Sequence, residues 1–99
     1  MTDQTERQIL KSLQTLPNIG PACAKDLYML GYRAPENLRG EDPVQMFENL
    51  CSITGKRHDP CVLDTFMSVV SFANGGPARP WWHFTAERKE LLRAKDAVT

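Results

Sequence analysis

Apolar residues recur at helical spacing along most of the chain, and no stretch sustains the two-residue alternation of a half-buried strand. Ile9, Leu10, Leu13 and Leu16 fall on one face of a helix spanning about residues 5–15. Asp3 is the expected N-cap, with Glu6 three residues later as its capping-box partner. Pro17 stops this helix, because the residue before a proline is pushed out of the α region. Leu16-Pro17-Asn18-Ile19-Gly20-Pro21 then reads as a tight turn, and Pro21 suits the first turn of a second helix that reaches Leu30. Ala24, Leu27, Tyr28 and Leu30 supply its buried side, and Gly31 is placed to end it in the left-handed conformation.

Pro35-Glu36-Asn37-Leu38 reads as a single short helical turn. Asp42-Pro43 and Asp59-Pro60 each open a helix, with Asp as N-cap and Pro at the first helical position. This is shared start chemistry rather than an internal repeat. Met46, Phe47, Leu50 and Ile53 form the apolar face of the third helix, which Gly55 ends. Val62, Leu63, Phe66, Met67, Val69 and Val70 make the fourth helix the most apolar, so it is the expected centre of the core. Asn74-Gly75-Gly76-Pro77 ends it. Residues 78–84 read as irregular. Thr85 reads as the N-cap of a final charged helix over about 86–95, anchored by Leu91 and Leu92. The expected fold is all-α: one domain over residues 1–99 of about five short helices, with a hairpin over about 5–30 and C-terminal helices over about 42–95.

Composition narrows the function more than the fold. The chain has 99 residues, 41% apolar and 24% charged, which suits one folded domain and argues against disorder. Twelve Lys and Arg balance twelve Asp and Glu. A protein that coats nucleic acid by bulk charge is therefore excluded, while a small local basic site is not. No stretch approaches the roughly 20 apolar residues that span a bilayer. The first ten residues are polar and carry both charge signs, unlike a signal peptide, so the expected location is the cytoplasm. The cysteines at positions 23, 51 and 61 are odd in number and sparse, which predicts free thiols rather than a disulfide scaffold.

Three regions carry candidate chemistry. In the first, the turn at residues 16–21 resembles the helix-hairpin-helix motif, whose pattern is a hydrophobic residue, Gly, a hydrophobic residue, Gly, three residues and Ala. Asn18, Ile19, Gly20 and Ala24 occupy the last places of that pattern. The departure is Asn18 for the first Gly, and Asn is the non-glycine residue most tolerant of positive φ. The resemblance implies a SAM-like helical bundle and a hairpin that grips the DNA backbone without reading sequence. The physical basis is the start of a helix, where unpaired amides and partial positive charge favour an anion. Pro21 has no amide proton to offer. The candidate DNA-backbone contacts are thus Asn18, Ile19, Gly20 and Ala22, with Lys25 adding charge. The plainer alternative is a tight helical corner or a protein-contact element, and Asp26 beside Lys25 offsets its charge.

The second region holds Cys51, Arg57, His58, Asp59 and Cys61. A structural zinc site needs four Cys or His ligands, so Cys23 or His83 would have to join the three found here. That spacing matches no standard finger, and no metal or other cofactor is expected. Cys61 near the start of the fourth helix, with His58 and Arg57 close by, is a candidate reactive thiol. The plainer alternative makes the cysteines small packing residues and Asp59 an N-cap. The third region is Pro80-Trp81-Trp82-His83-Phe84. Of two adjacent tryptophans one can cap the core and the other lie at the surface, where Arg79, Arg88 and Lys89 would help it meet a base or a partner. The plainer reading, that both pin the last helix to the core, carries more weight.

Taken together, Leu-Pro-Asn-Ile-Gly-Pro-Ala, Asp-Leu-x-x-Leu-Gly, Asn-Leu-Arg-Gly-x-Asp-Pro, Arg-His-Asp-Pro-Cys-Val-Leu-Asp and Pro-Trp-Trp-x-Phe-Thr-x-Glu-Arg-Lys resemble the bacterial pathogenicity-locus family. Its members are often labelled mitomycin-resistance proteins. The first half also resembles the helical C-terminal domain of TfoX-type competence regulators. Mitomycin alkylates and crosslinks DNA, so the resemblance implies a role at DNA without implying a reaction. The expected function is non-catalytic DNA-backbone binding, with DNA or a DNA-acting protein as partner. A protein-interaction module using Trp81, Trp82 and the hairpin is the main alternative, and a thiol activity at Cys61 the weaker one. A lone hairpin makes few phosphate contacts, so tight binding would need a dimer or a second DNA-binding protein.

Overall fold

The computed structural model describes residues 5–98, with side chains through residue 94. Five α-helices lie within the described residues: α1 (Glu6–Leu13), α2 (Pro21–Met29), α3 (Pro43–Thr54), α4 (Pro60–Ala73) and α5 (Thr85–Val98). Short 3-10 helices at Pro35–Leu38 and Trp81–Phe84 join them, and no strand occurs among the described residues. The fold is all-α.

The helix starts follow from local chemistry. Asp42 accepts hydrogen bonds from the amides of Val44 (2.9 Å) and Gln45 (3.4 Å), and Asp59 accepts from the amide of Cys61 (2.9 Å). Each satisfies donors that a helix start leaves open, and the following proline has no donor to satisfy. The start of α1 differs from expectation. Thr5 is its N-cap and Gln8 closes the capping box, with hydrogen bonds of 3.2 and 3.0 Å. Glu6 is therefore the first helical residue, too early to be the box partner. Asp3 lies outside the described residues.

The segment before α5 also departs from the sequence reading. Residues 81–84 form a 3-10 helix rather than irregular chain, and it runs straight into α5. Thr85 is consequently helical (φ −60°, ψ −44°) and its amide bonds the Trp82 carbonyl. Its hydroxyl is free of capping duty and donates to Asp64 at 2.7 Å.

Helix α4 forms the centre. Eight successive residues, Leu63 to Val70, are buried, as expected of a helix covered on every side. Helix α3, both 3-10 helices and α5 all pack on it, while α1 and α2 pack on each other. Ile9, Leu13, Leu16, Ile19, Ala24 and Leu27 carry the α1–α2 pair into the same core. Two expected core residues lie outside it. Ile53, in the last turn of α3, is 56% exposed, and Leu91 of α5 is 40% exposed. The buried face of α3 ends at Leu50, and on α5 Leu92 rather than Leu91 packs against the core.

Candidate functional site

The turn between α1 and α2 is held in one unusual conformation. Asn18 has φ of 68° and is the sole non-glycine residue with positive φ among the described residues. Its side chain turns inward. Nδ2 donates to the Arg79 carbonyl at 2.7 Å and to Ser68 Oγ, on α4, at 3.1 Å. The left-handed backbone and these two bonds fix the direction in which α2 begins. Gly20, Pro21 and Ala22 are exposed at that start, and the first turn of α2 carries no acidic residue. Lys25 is exposed one turn on and lines a groove with Ala22. Glu6 and Asp26 line the same groove, so the positive field is confined to the turn itself.

Ile19 does not belong to the exposed set. Its side chain is buried, and its amide points at the Leu16 carbonyl (3.4 Å). The outward donors of the turn are thus fewer than the motif suggests: the Gly20 amide is directed at the Cys23 thiol, which leaves Ala22 as the main one.

Tertiary packing brings the three candidate regions, far apart in sequence, to neighbouring places. The Asn18–Arg79 bond ties the lead-in of the Trp81–Trp82 segment to the turn. Burial raises the Asp26 carboxyl of α2 above its ordinary 3.8, and Lys56 and His58, from the loop before α4, partly offset that rise. Cys23 of α2 lies near Cys61 of α4. Lys56, Arg57 and Arg79 are exposed.

The chemistry of residues 57–61 is less reactive than its composition suggests. His58 Nε2 lies 2.8 Å from Thr54 Oγ, and that hydroxyl donates to the Leu50 carbonyl at 2.9 Å. The imidazole is therefore the donor to Thr54, which fixes its tautomer and spends this nitrogen on the end of α3. Burial, and then Asp59 and Asp64, push the Cys61 thiol up from 9.0. Both causes oppose the helix-start effect that would favour thiolate. Burial raises the Cys23 thiol as well. The three cysteines are free thiols. Among the described residues no group of three or more His, Cys, Asp or Glu could hold a metal ion.

The two tryptophans divide. Trp81 is half-buried against α4, whereas Trp82 is 63% exposed. The reading in which both pin the last helix fails for Trp82, because a four-residue 3-10 turn cannot direct two adjacent side chains into one core. The rings meet edge to face, with centroids 5.6 Å apart and planes at 84°.

One buried acid serves packing rather than the Cys61 region. Asp64 is fully buried, and accepts from Arg88 Nε at 2.8 Å and from the Thr85 hydroxyl at 2.7 Å. A lone acid inside the most apolar helix was its signal, since a buried carboxylate requires a partner. This pair fastens α5 and the tryptophan turn to α4. A separate groove of about 710 Å³ lies between the start of α3, α4 and α5, lined by Val44, Met67, Val70, Phe84 and Leu91 among others, and shares no residue with the turn.

These features define a small all-α protein with an exposed, conformationally locked helix start flanked by an aromatic turn. The chain belongs to the pathogenicity-locus family, whose sequence model matches residues 6–90. It is similar to the mitomycin resistance protein McrB of Streptomyces lavendulae, at 49% identity over 80 residues that cover 81% of this chain and 76% of that protein. No solved structure matches. No helix among the described residues is long and apolar enough to cross a membrane.

Proposed function

We propose that this protein contributes to mitomycin resistance by non-catalytic contact with DNA, using the α1–α2 turn as a helix-hairpin-helix clamp on the phosphate backbone. The similarity to a mitomycin resistance protein supports the resistance role. The observation that carries the DNA contact is the locked turn. Asn18 at φ 68° and its bonds to Ser68 and Arg79 hold the start of α2 open to solvent with no acid in its first turn. A phosphate there meets the amide of Ala22 and the partial positive charge of the helix end. Lys25, exposed on the next turn, adds charge. The contact involves backbone and point charges only, so it reads no sequence. This role places the chain in the cytoplasm, beside the bacterial chromosome.

Few phosphates are engaged, so binding is weak and salt-sensitive. With about three contacts, a slope of about −0.9 per phosphate gives roughly a 40-fold loss of affinity between about 50 and 200 mM salt. Fluorescence anisotropy of a labelled duplex at those two salts tests this. The parent should bind with that dependence and Lys25→Glu should bind more weakly. A folded parent that fails to bind at the lower salt would refute duplex binding and favour a protein partner for the turn and Trp82. The raised thiol pKa of Cys61 disfavours a thiol activity.

A further inference from the structure

We infer that the site prefers DNA with an unstacked base, at a gap or at a junction of duplex and single strand, and that Trp82 stacks on that base while the turn holds the adjoining backbone. The inference rests on the DNA reading of the turn given above and adds the form of DNA that the site selects.

Trp82 is the most exposed large apolar side chain among the described residues. Its backbone cannot move to bury it. Trp81 on one side is half-buried, Phe84 two residues on is buried, and the whole turn is packed on α4. Behind it the Asp64–Arg88–Thr85 contacts hold the start of α5 in place. The perpendicular meeting with Trp81 leaves at least one broad face of the Trp82 indole uncovered by its neighbour. Such a face is presented ready-made. Tryptophan has only two side-chain torsions to fix, so ordering it on a ligand costs little.

Position decides what that face meets. The Arg79 carbonyl is 2.7 Å from the Asn18 amide nitrogen. Trp82 is three residues further along, and three Cα–Cα steps span at most about 11 Å. At roughly 3.4 Å of rise per nucleotide, that reach keeps Trp82 within a few nucleotides of a backbone held at the turn. An intact duplex offers nothing there for an indole face, since its bases are stacked and show only their edges in the grooves. A base that has left the stack exposes the π-face that an aromatic platform binds without regard to sequence. Arg79 and Lys89, both exposed, supply positive charge for the backbone on either side.

The test compares binding of the full chain to an intact duplex and to the same duplex carrying a three-nucleotide gap, by anisotropy at about 50 mM salt. The parent is expected to bind the gapped DNA roughly 5- to 150-fold more tightly, the range that one base–aromatic stack supplies. Trp82→Ala should remove that preference and leave affinity for the intact duplex unchanged. Trp82→Phe should retain part of it, and Lys25→Glu should weaken both complexes alike. Quenching of tryptophan emission by the gapped DNA in the parent, absent in Trp82→Phe, gives a second readout. Equal affinity of the parent for the two DNAs, or a preference that survives Trp82→Ala, would overturn the inference and leave the clamp standing. Binding to neither DNA would overturn the clamp and this inference together.

Discussion

Replacing Arg88 with methionine keeps most of the side chain's length and removes its charge. Asp64 would then lie fully buried with the Thr85 hydroxyl as its remaining partner. Breaking a buried pair by removing one member costs about 3–5 kcal/mol, because the charge left behind is uncompensated. The Thr85 bond survives in this variant, so the expected cost is near the lower end, about 3 kcal/mol. A chain of 99 residues has a net stability of roughly 5–15 kcal/mol. Arg88→Met thus removes a large fraction of it. With a urea slope of about 1.5 kcal/mol per molar, the unfolding midpoint falls by about 2 M. The double variant Asp64→Leu/Arg88→Met should recover most of this, since an apolar replacement of a buried pair is often neutral. About 1 kcal/mol of deficit should remain from the unpaired Thr85 hydroxyl. Urea unfolding of the parent, both single variants and the double variant closes the cycle. A cost below about 1 kcal/mol for Arg88→Met, or a double variant less stable than either single one, would refute the assignment of the pair as the fastening of α5.

Asn18→Gly loses the bonds to Ser68 and Arg79 but keeps the left-handed backbone at little cost, so about 1–2 kcal/mol of stability should go. Asn18→Ala should lose about 1 kcal/mol more, and a milder alanine than glycine in thermal unfolding would contradict the strain at φ 68°. The Cys61 amide holds the Asp59 carboxyl below its ordinary 3.8, so its capping contribution is complete above that value and is lost as the pH falls through the lowered one. The stability deficit of Asp59→Ala should therefore be constant between about pH 5 and 8 and shrink toward pH 2, and a deficit that grows in acid would count against the cap. Cys61, with its thiol pushed above 9.0, should react with iodoacetamide at about pH 8 more slowly than free cysteine, and faster once Asp59→Ala removes one cause of the shift. Rapid alkylation of the parent at that pH would revive a reactive-thiol role.

The starts of α3 and α4 were legible because they rest on local chemistry. Proline and aspartate mark the starts of α3 and α4, and Gly31 and Gly55 take the left-handed conformation expected after a helix. Asn18 was legible as a residue able to replace glycine at positive φ. The partners of its side chain were not, since Ser68 and Arg79 lie 50 and 61 residues away and are brought close by packing alone. The same long-range placement hid the relation between the turn and Trp82. Thr85 was misread because a capping threonine and a helical threonine bonded to a distant carboxylate look alike in sequence. Ile19 was misassigned because the motif pattern does not say which of its amides the turn itself consumes.

The proposed function requires DNA backbone to sit on the start of α2. Amide chemical-shift mapping by two-dimensional NMR, with a short unmodified duplex added to the labelled protein at low salt, tests it most directly. Shifts should concentrate at Asn18, Gly20, Ala22 and Lys25 and at Arg79 beside them, with Val70 and Leu91 in the separate groove unmoved. Shifts centred on that groove, or none anywhere at saturating duplex, would contradict it.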